Sequence, residues 1–164
     1  MELHDITDTT PPMYPAAREL YQNSFPFHEQ REAPSQAAIL RSPGYHFALL
    51  YDGEVFVGLA LYWETEDFLY IEHLCIQPVL RNRRYGQQAL ALLQEKGKTV
   101  ILEIDPPVEE LAKRRKGFYE RCGFTAVPFS HVHPPYHREN QGHDLVVMSS
   151  PRPVTPAEYG RFAA

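Results

Sequence analysis

The chain changes rhythm once, and that change limits the folds open to it. Three apolar runs, residues 46–51, 55–64 and 68–76, follow one another with only short turns between them. Asp52-Gly53 joins the first two, and Asp-Gly between apolar runs is a strong short-range hairpin signal. Glu66-Asp67 separates the second from the third, and Gln77-Pro78 closes the meander. Beyond it, helix and strand alternate. Residues 84–95 carry Ala89, Leu90 and Leu93 on one helical stripe, with Gly97 placed as a C′ residue. Residues 99–104 are almost wholly apolar, as in a strand covered on both faces. Residues 109–122 return to helical spacing at Leu111, Arg115, Phe118 and Cys122, and Gly123 stops them.

The flanks complete the pattern. Thr10-Pro11-Pro12 starts a helix with Tyr14, Ala17, Leu20, Tyr21 and Ser24 at helical spacing, and Pro26 closes it. Ala33-Pro34-Ser35 opens a second short helix to about residue 41, stopped by Ser42-Pro43-Gly44. Residues 124–129 and 145–149 read as two last strands around a loop, 130–144, rich in His, Pro and Gly. The order is ααβββαβαββ, with an opening strand if residues 3–6 pair. It implies an α/β fold built on a mixed, mostly antiparallel sheet of six to seven strands flanked by about four helices. Residues 1–150 are expected to form one domain. The tail, 151–164, holds a capping box at Thr155-Pro156-Ala157-Glu158 and is expected to pack a short helix on it.

A chain of 164 residues, 43% hydrophobic and 23% charged, can bury a core without disulfides or metal. Its two cysteines, Cys75 and Cys122, make no disulfide framework and are expected to be buried thiols in a reducing cytoplasm. No apolar run approaches the roughly 20 residues that span a bilayer, and the first residues are acidic and polar, so no secretory signal or membrane anchor is expected. A net charge of −5 argues against nucleic acid as the main partner and leans toward a cationic one.

The chemistry concentrates where the rhythm changes. Residues 74–90 take an apolar strand through a tight loop directly onto a helix, with Arg81, Arg83 and Arg84 in the loop. Unpaired N–H groups and the helix dipole suit such a junction to an anion such as a pyrophosphate. The same residues also read as an ordinary β–α turn with solvated arginines.

This segment resembles the acetyl-CoA-binding motif of the GNAT superfamily of N-acetyltransferases, [Gln/Arg]-x-x-Gly-x-[Gly/Ala] after the fourth strand. Arg81 matches the first position and Gly86 the last, while Arg84 replaces the middle glycine. At a helix start an arginine is expected to be conformationally acceptable, and its guanidinium is placed to meet a phosphate. Some thirty residues on, Gly117-Phe118-Tyr119-Glu120-Arg121-Cys122-Gly123-Phe124 is similar to the family's Tyr-Glu-x-x-Gly-Phe helix end. The family often has an Asn seven residues before this Tyr. Here Ala112 stands there, so that contact is either absent or supplied otherwise, with Arg114 and Arg115 the candidates.

The resemblance implies acetyl-CoA as acyl donor and a slot where strands four and five splay apart. It implies Leu74, Cys75, Ile76, Arg81, Asn82, Arg83, Arg84, Tyr85, Gly86 and Gln87 as cofactor-binding residues, with the amides of Leu74 and Ile76 polarising the thioester. It implies Tyr119 as the general acid for the leaving thiolate; core packing beside Phe118 is its other reading. Glu72 is the first candidate base, placed by period two on the face of Leu74 and Ile76, with Glu103 the second. The family's strand glutamate aligns with Tyr70, and Glu72 also reads as an ion-paired edge carboxylate.

The acceptor is expected to be a primary amine, on a small molecule or as a peptide N-terminus or lysine, with the protein a monomer or homodimer. A CoA-binding sensor or interaction module without catalysis, and transfer of a longer acyl group, stay open beside this. His131, His133, His137 and His143 sit within thirteen residues but fit neither common zinc-finger spacing, so no metal is assigned to them. Contact with substrate or a plain polar loop are their other readings.

Overall fold

The computed structural model describes residues 1–6, 12–24, 39–40, 43–81, 83–104, 107–126, 131–133 and 143–151. Among them run β1 (Glu2–Ile6), α1 (Tyr14–Ser24), β2 (Tyr45–Asp52), β3 (Val55–Glu64) and β4 (Phe68–Ile76), then α2 (Tyr85–Gln94), β5 (Thr99–Ile104), α3 (Glu110–Arg121), β6 (Thr125–Ala126), β7 (His131–His133) and β8 (His143–Ser150). The second helix expected near 33–41 falls, all but Ile39 and Leu40, outside the described residues, as do 127–129 of the strand expected at 124–129 and the tail helix.

The strands follow the order β1-β2-β3-β4-β5-β8-β6, and β7 pairs with β8. β1 to β4 form the antiparallel meander, β4–β5 is a parallel pair, and β8 returns antiparallel against β5. The opening strand therefore does pair. β7 lies within what the sequence presents as a loop, and β8 begins two residues before the expected strand. A segment crowded with His and Pro lacks the alternating pattern by which short strands are read.

Each face of the sheet buries its own core. On one, Tyr14, Ala17 and Tyr21 of α1, spaced three and four apart, close over Phe47, Leu49, Leu59, Leu61 and Cys75. On the other, Ala89, Leu90 and Leu93 of α2 pack with Leu69, Ile71, Val100, Leu102, Phe124 and Met148. Leu90 and Leu93 are fully buried, and truncating either to Ala would cost about 2–5 kcal/mol. α3 is more loosely seated. Phe118, Tyr119 and Cys122 lean on that second core, but Leu111, at the head of the expected apolar stripe, is 60% exposed, and Cys122 is half-buried rather than buried.

Two features of β4 prepare the site. At its C-terminal end Gly58 of β3 faces Ile76, and a Cβ on Gly58 would collide with the Cys75 carbonyl oxygen, so only glycine permits this approach. In its middle, Leu61 pairs with His73 and Tyr62 with Ile71, which leaves Glu72 as the extra residue of a β-bulge.

Candidate active site

β4 and β5 pair from Phe68/Thr99 to Ile71/Leu102, and no further pair between them follows among the described residues. β4 continues beside β3 through His73 to Ile76, while Glu103 and Ile104 of β5 go with Val147 and Val146 of β8. The two strands therefore part at the bulge, and a cleft opens through the sheet. The Gln77 N–H donates to the Val57 carbonyl at 2.8 Å, toward β3. Backbone direction alternates along a strand, so the N–H groups of Ile76 and Leu74 face the cleft.

The cleft leads into the loop. Gln77 is tied down again by its side-chain amide, which donates to the Phe56 carbonyl at 2.7 Å. A 3₁₀ turn at Pro78–Leu80 follows, and the Arg81 N–H donates to the Pro78 carbonyl. The first turn of α2 closes with the bond from the Gln88 N–H to the Arg84 carbonyl at 3.1 Å, so the N–H groups of Tyr85, Gly86 and Gln87 stand at the open end of the helix. Among the described residues no side chain caps them, and no acidic residue lies in the first turn. Arg81, Arg83 and Arg84 are exposed around this end. Asn82 lies outside the described residues. Gly86 brings the helix end onto α3, where a Cβ would lie 3.3 Å from Phe118. The Tyr85 hydroxyl donates to Asp52 at 2.8 Å, which ties the helix start to the β2–β3 turn and pushes the phenol above its ordinary pKa.

Arg84 corrects one expectation. Its φ of 64° and ψ of 18° are left-handed, and it is the one non-glycine residue with positive φ among the described residues. The position is thus not an ordinary helix start but one where an L side chain carries strain, on the order of 1–2 kcal/mol.

Tyr119 owes its place to a helix stop. The Phe124 N–H donates to the Tyr119 carbonyl at 3.0 Å and the Gly123 N–H to the Glu120 carbonyl at 3.1 Å, with Gly123 left-handed at φ 95°. These are the two bonds of a Schellman cap, and the Tyr119 and Phe124 rings, 5.9 Å apart, supply its apolar contact. The spacing Tyr-x-x-x-Gly-Phe is therefore a capping signal as well as a candidate catalytic one. Burial pushes the Tyr119 phenol above its usual pKa, and Arg115, one turn earlier, partly offsets this.

The bulge corrects a second expectation. Leu74 and Ile76 lean on the α2/α3 core, as Ile71 does. His73 meets Tyr21 of α1 edge-on at 5.1 Å, and the Trp63 indole, packed on the α1 core, donates to Glu72 at 3.4 Å. Glu72 and His73 thus share the α1 face, and Glu72 lies opposite Leu74 and Ile76 rather than beside them. The extra residue breaks period two at that point. Their side chains are only 4% and 5% exposed, with His73 Nδ1 3.7 Å from Glu72 Oε1. Glu103 accepts a hydrogen bond from the Tyr70 hydroxyl where the strands part. Cys75 is buried on the α1 face with its thiol pushed up to about 11 by desolvation.

His73 is the residue that sequence reasoning passed over. Its signal is a change of parity, since the apolar positions facing the α2/α3 core shift from the buried Leu69 and Ile71 to the partly buried Leu74 and Ile76 across an adjacent polar pair.

Comparison with known proteins gives these features a setting. The model of the acetyltransferase (GNAT) family matches residues 10–124. A GNAT-family protein from Bacteroides thetaiotaomicron is 32% identical, with a TM-score of 0.90 over 99% of this chain and 93% of its own. An aminoglycoside 6′-N-acetyltransferase complexed with coenzyme A superposes at 0.63, with 16% identity, over 94% of this chain and all of its own. The ribosomal-protein-S18-alanine N-acetyltransferase of Escherichia coli does so at 0.63 and 16%, over 94% and 95%. These last two share the fold. Curated proteins give no match. Among the described residues no helix is long and apolar enough to cross a membrane.

Proposed function

Because the chain belongs to the GNAT family of acetyltransferases, whose acyl donor is acetyl-CoA, we propose that it transfers the acetyl group directly to a primary amine in the cleft between β4 and β5. The observation that carries this reading is the parting of the two strands at Ile71/Leu102, which turns the amides of Leu74 and Ile76 toward one gap at the head of the loop. An uncapped helix end ringed by arginines suits the pyrophosphate of CoA. The thioester carbonyl would lie against the cleft amides, which stabilise the charge that builds on its oxygen.

Two protons must leave the nitrogen. An amine with a pKa of about 10.4 is neutral roughly once in 2,500 molecules at pH 7, a penalty of about 4.6 kcal/mol. Glu72, on the α1 face at the point where the strands part, takes a proton from the incoming ammonium. Tyr119, on the α2/α3 side, gives one to the departing thiolate, and its raised pKa keeps the phenol protonated for that role. The acceptor then approaches from the α1 face and the thiol departs on the other. The thiols of Cys75 and Cys122 support a reducing compartment, the cytoplasm, as its location.

Thiol release from acetyl-CoA, followed across a panel of small amines, aminoglycosides and peptides with free N-termini, tests the reading. Release that depends on one class of amine supports it. CoA binding with no amine-dependent release would establish a binding module instead, and a faster reaction with longer acyl-CoA would move the donor assignment.

A further inference from the structure

We infer that His73 is the positioning residue for Glu72 and the second seat for its proton, so that the acceptor side works as a Glu–His pair and not as a lone carboxylate. The inference rests on the acetyl-transfer reading, and it adds a residue that the family motifs do not supply. The geometry comes from the bulge. In a regular strand Glu72 and His73 would face opposite sides; the extra residue turns both toward α1. There the imidazole Nδ1 stands 3.7 Å from Glu72 Oε1, within ion-pair distance and longer than a hydrogen bond. The other carboxylate oxygen is held by the Trp63 indole, which fixes the orientation of the group. Tyr21 meets the His73 ring edge-on and limits its rotation.

Burial disfavours the charged form of a carboxylate enclosed to this degree, and a neighbour that can take up positive charge as a proton arrives offsets part of that penalty by attraction. The step balances as follows. The ammonium gives one proton to Glu72, which passes it to His73, so that the carboxylate is again an anion beside an imidazolium. The nitrogen lone pair attacks the thioester carbon, and the C–S electrons leave on sulfur, which takes the proton of Tyr119. The second proton on nitrogen restores Tyr119, and the proton on His73 goes to water. The titratable groups around His73 among the described residues include Glu72, Tyr70 and Cys75 on its own strand, Tyr21 on α1 and Glu103 on β5.

The test has two arms. In the first, kcat and KM are measured against pH for wild type, His73→Gln and Glu72→Gln, with acetyl-CoA and with benzylamine and 1,4-diaminobutane as probe amines. The expected result for His73→Gln is a kcat reduced about tenfold or more with KM for acetyl-CoA unchanged, and an acidic limb of kcat/KM moved to lower pH by about 2 units, from the imidazole toward the carboxylate range. In the second, histidine-labelled protein is titrated by NMR. The resonance missing from His73→Gln is that of His73, and its midpoint is expected to fall by about 1 unit or more in Glu72→Gln, because the carboxylate that favours the imidazolium is gone. This arm needs no turnover, so it decides the pairing even if both probe amines prove inert and the acetyl-transfer reading itself is in question. Glu72→Gln also decides it if His73→Asn, not Gln, is the variant that folds. A midpoint indifferent to Glu72, or a limb unmoved in an active His73→Gln enzyme, would overturn the inference and leave His73 a packing residue.

Discussion

The two sides of the cleft are built by different means. On the α2/α3 side the chemistry is mostly backbone: amides at an uncapped helix end, a left-handed residue at its start, cleft amides on β4, and a Schellman cap that places Tyr119. On the α1 side it is mostly side chain: Glu72, His73, Trp63, Tyr70 and Glu103 gathered where the strands part. Backbone sites depend on conformation and therefore on fixed spacings of a few residues. Side-chain sites depend on which way each strand residue points, and one bulge is enough to change that.

The largest effect that would sharpen this contrast is expected at Tyr119, where the backbone-built side relies on a side chain. Tyr119→Phe keeps the ring and the carbonyl that accepts the capping bonds, so melting temperature should hardly change. The loss of the proton should lower kcat about 10²–10⁴-fold with CoA affinity preserved. A fully active Tyr119→Phe enzyme would reduce Tyr119 to its capping and packing role. Because desolvation raises this phenol, kcat should also show no fall from its ionisation below pH 10.

Gly58→Ala strikes the wall common to both sides. The new Cβ meets backbone, not a flexible side chain, so β3 and β4 must shift, at a cost of about 3 kcal/mol in denaturant unfolding. CoA affinity and amine turnover should fall together. A variant of wild-type stability would show that the approach at Cys75 is not needed.

How much of this was legible follows the same division. The hairpin, the alternation after Gln77-Pro78, the helix stripes and the Gly123 stop could be read because each is a local pattern. The loop could be placed for the same reason. The conformation of Arg84 could not, since only its position in the motif, and not its side chain, indicates a left-handed residue. Nor could the face of Glu72. Period two gives the wrong side unless the shift from Leu69 and Ile71 to Leu74 and Ile76 is noticed, and that shift becomes decisive only once β3 shows where the extra residue sits.

Smaller effects refine the comparison. Arg84→Gly removes left-handed strain and should raise stability by about 1 kcal/mol in denaturant unfolding. If the guanidinium serves the cofactor, CoA affinity should fall at the same time; weaker folding would mean that the arginine stabilises the loop by contacts that outweigh its strain. Smallest of all is Lys98→Met at the closed end of the cleft, where Lys98 Nζ lies 2.9 Å from Glu64 and 2.7 Å from the Thr65 carbonyl. The bond from Lys98 holds the Glu64 carboxyl below its ordinary range, so the stabilisation is full above that range and fades as pH falls through the folded value. The variant should lose under about 1 kcal/mol at pH 7, and the difference from wild type should shrink in acid.

The central claim is that the donor is held on one side of the sheet and deprotonation occurs on the other. Isothermal titration of CoA into wild type, Glu72→Gln and the double variant Arg81→Ala/Arg83→Ala tests it most directly. The account predicts wild-type affinity for Glu72→Gln, although its turnover is lost, and CoA binding at least tenfold weaker in the arginine variant, since charge at the loop is what meets the phosphates. A Glu72→Gln protein that binds CoA as poorly as the arginine variant, or an arginine variant that binds like wild type, would contradict it.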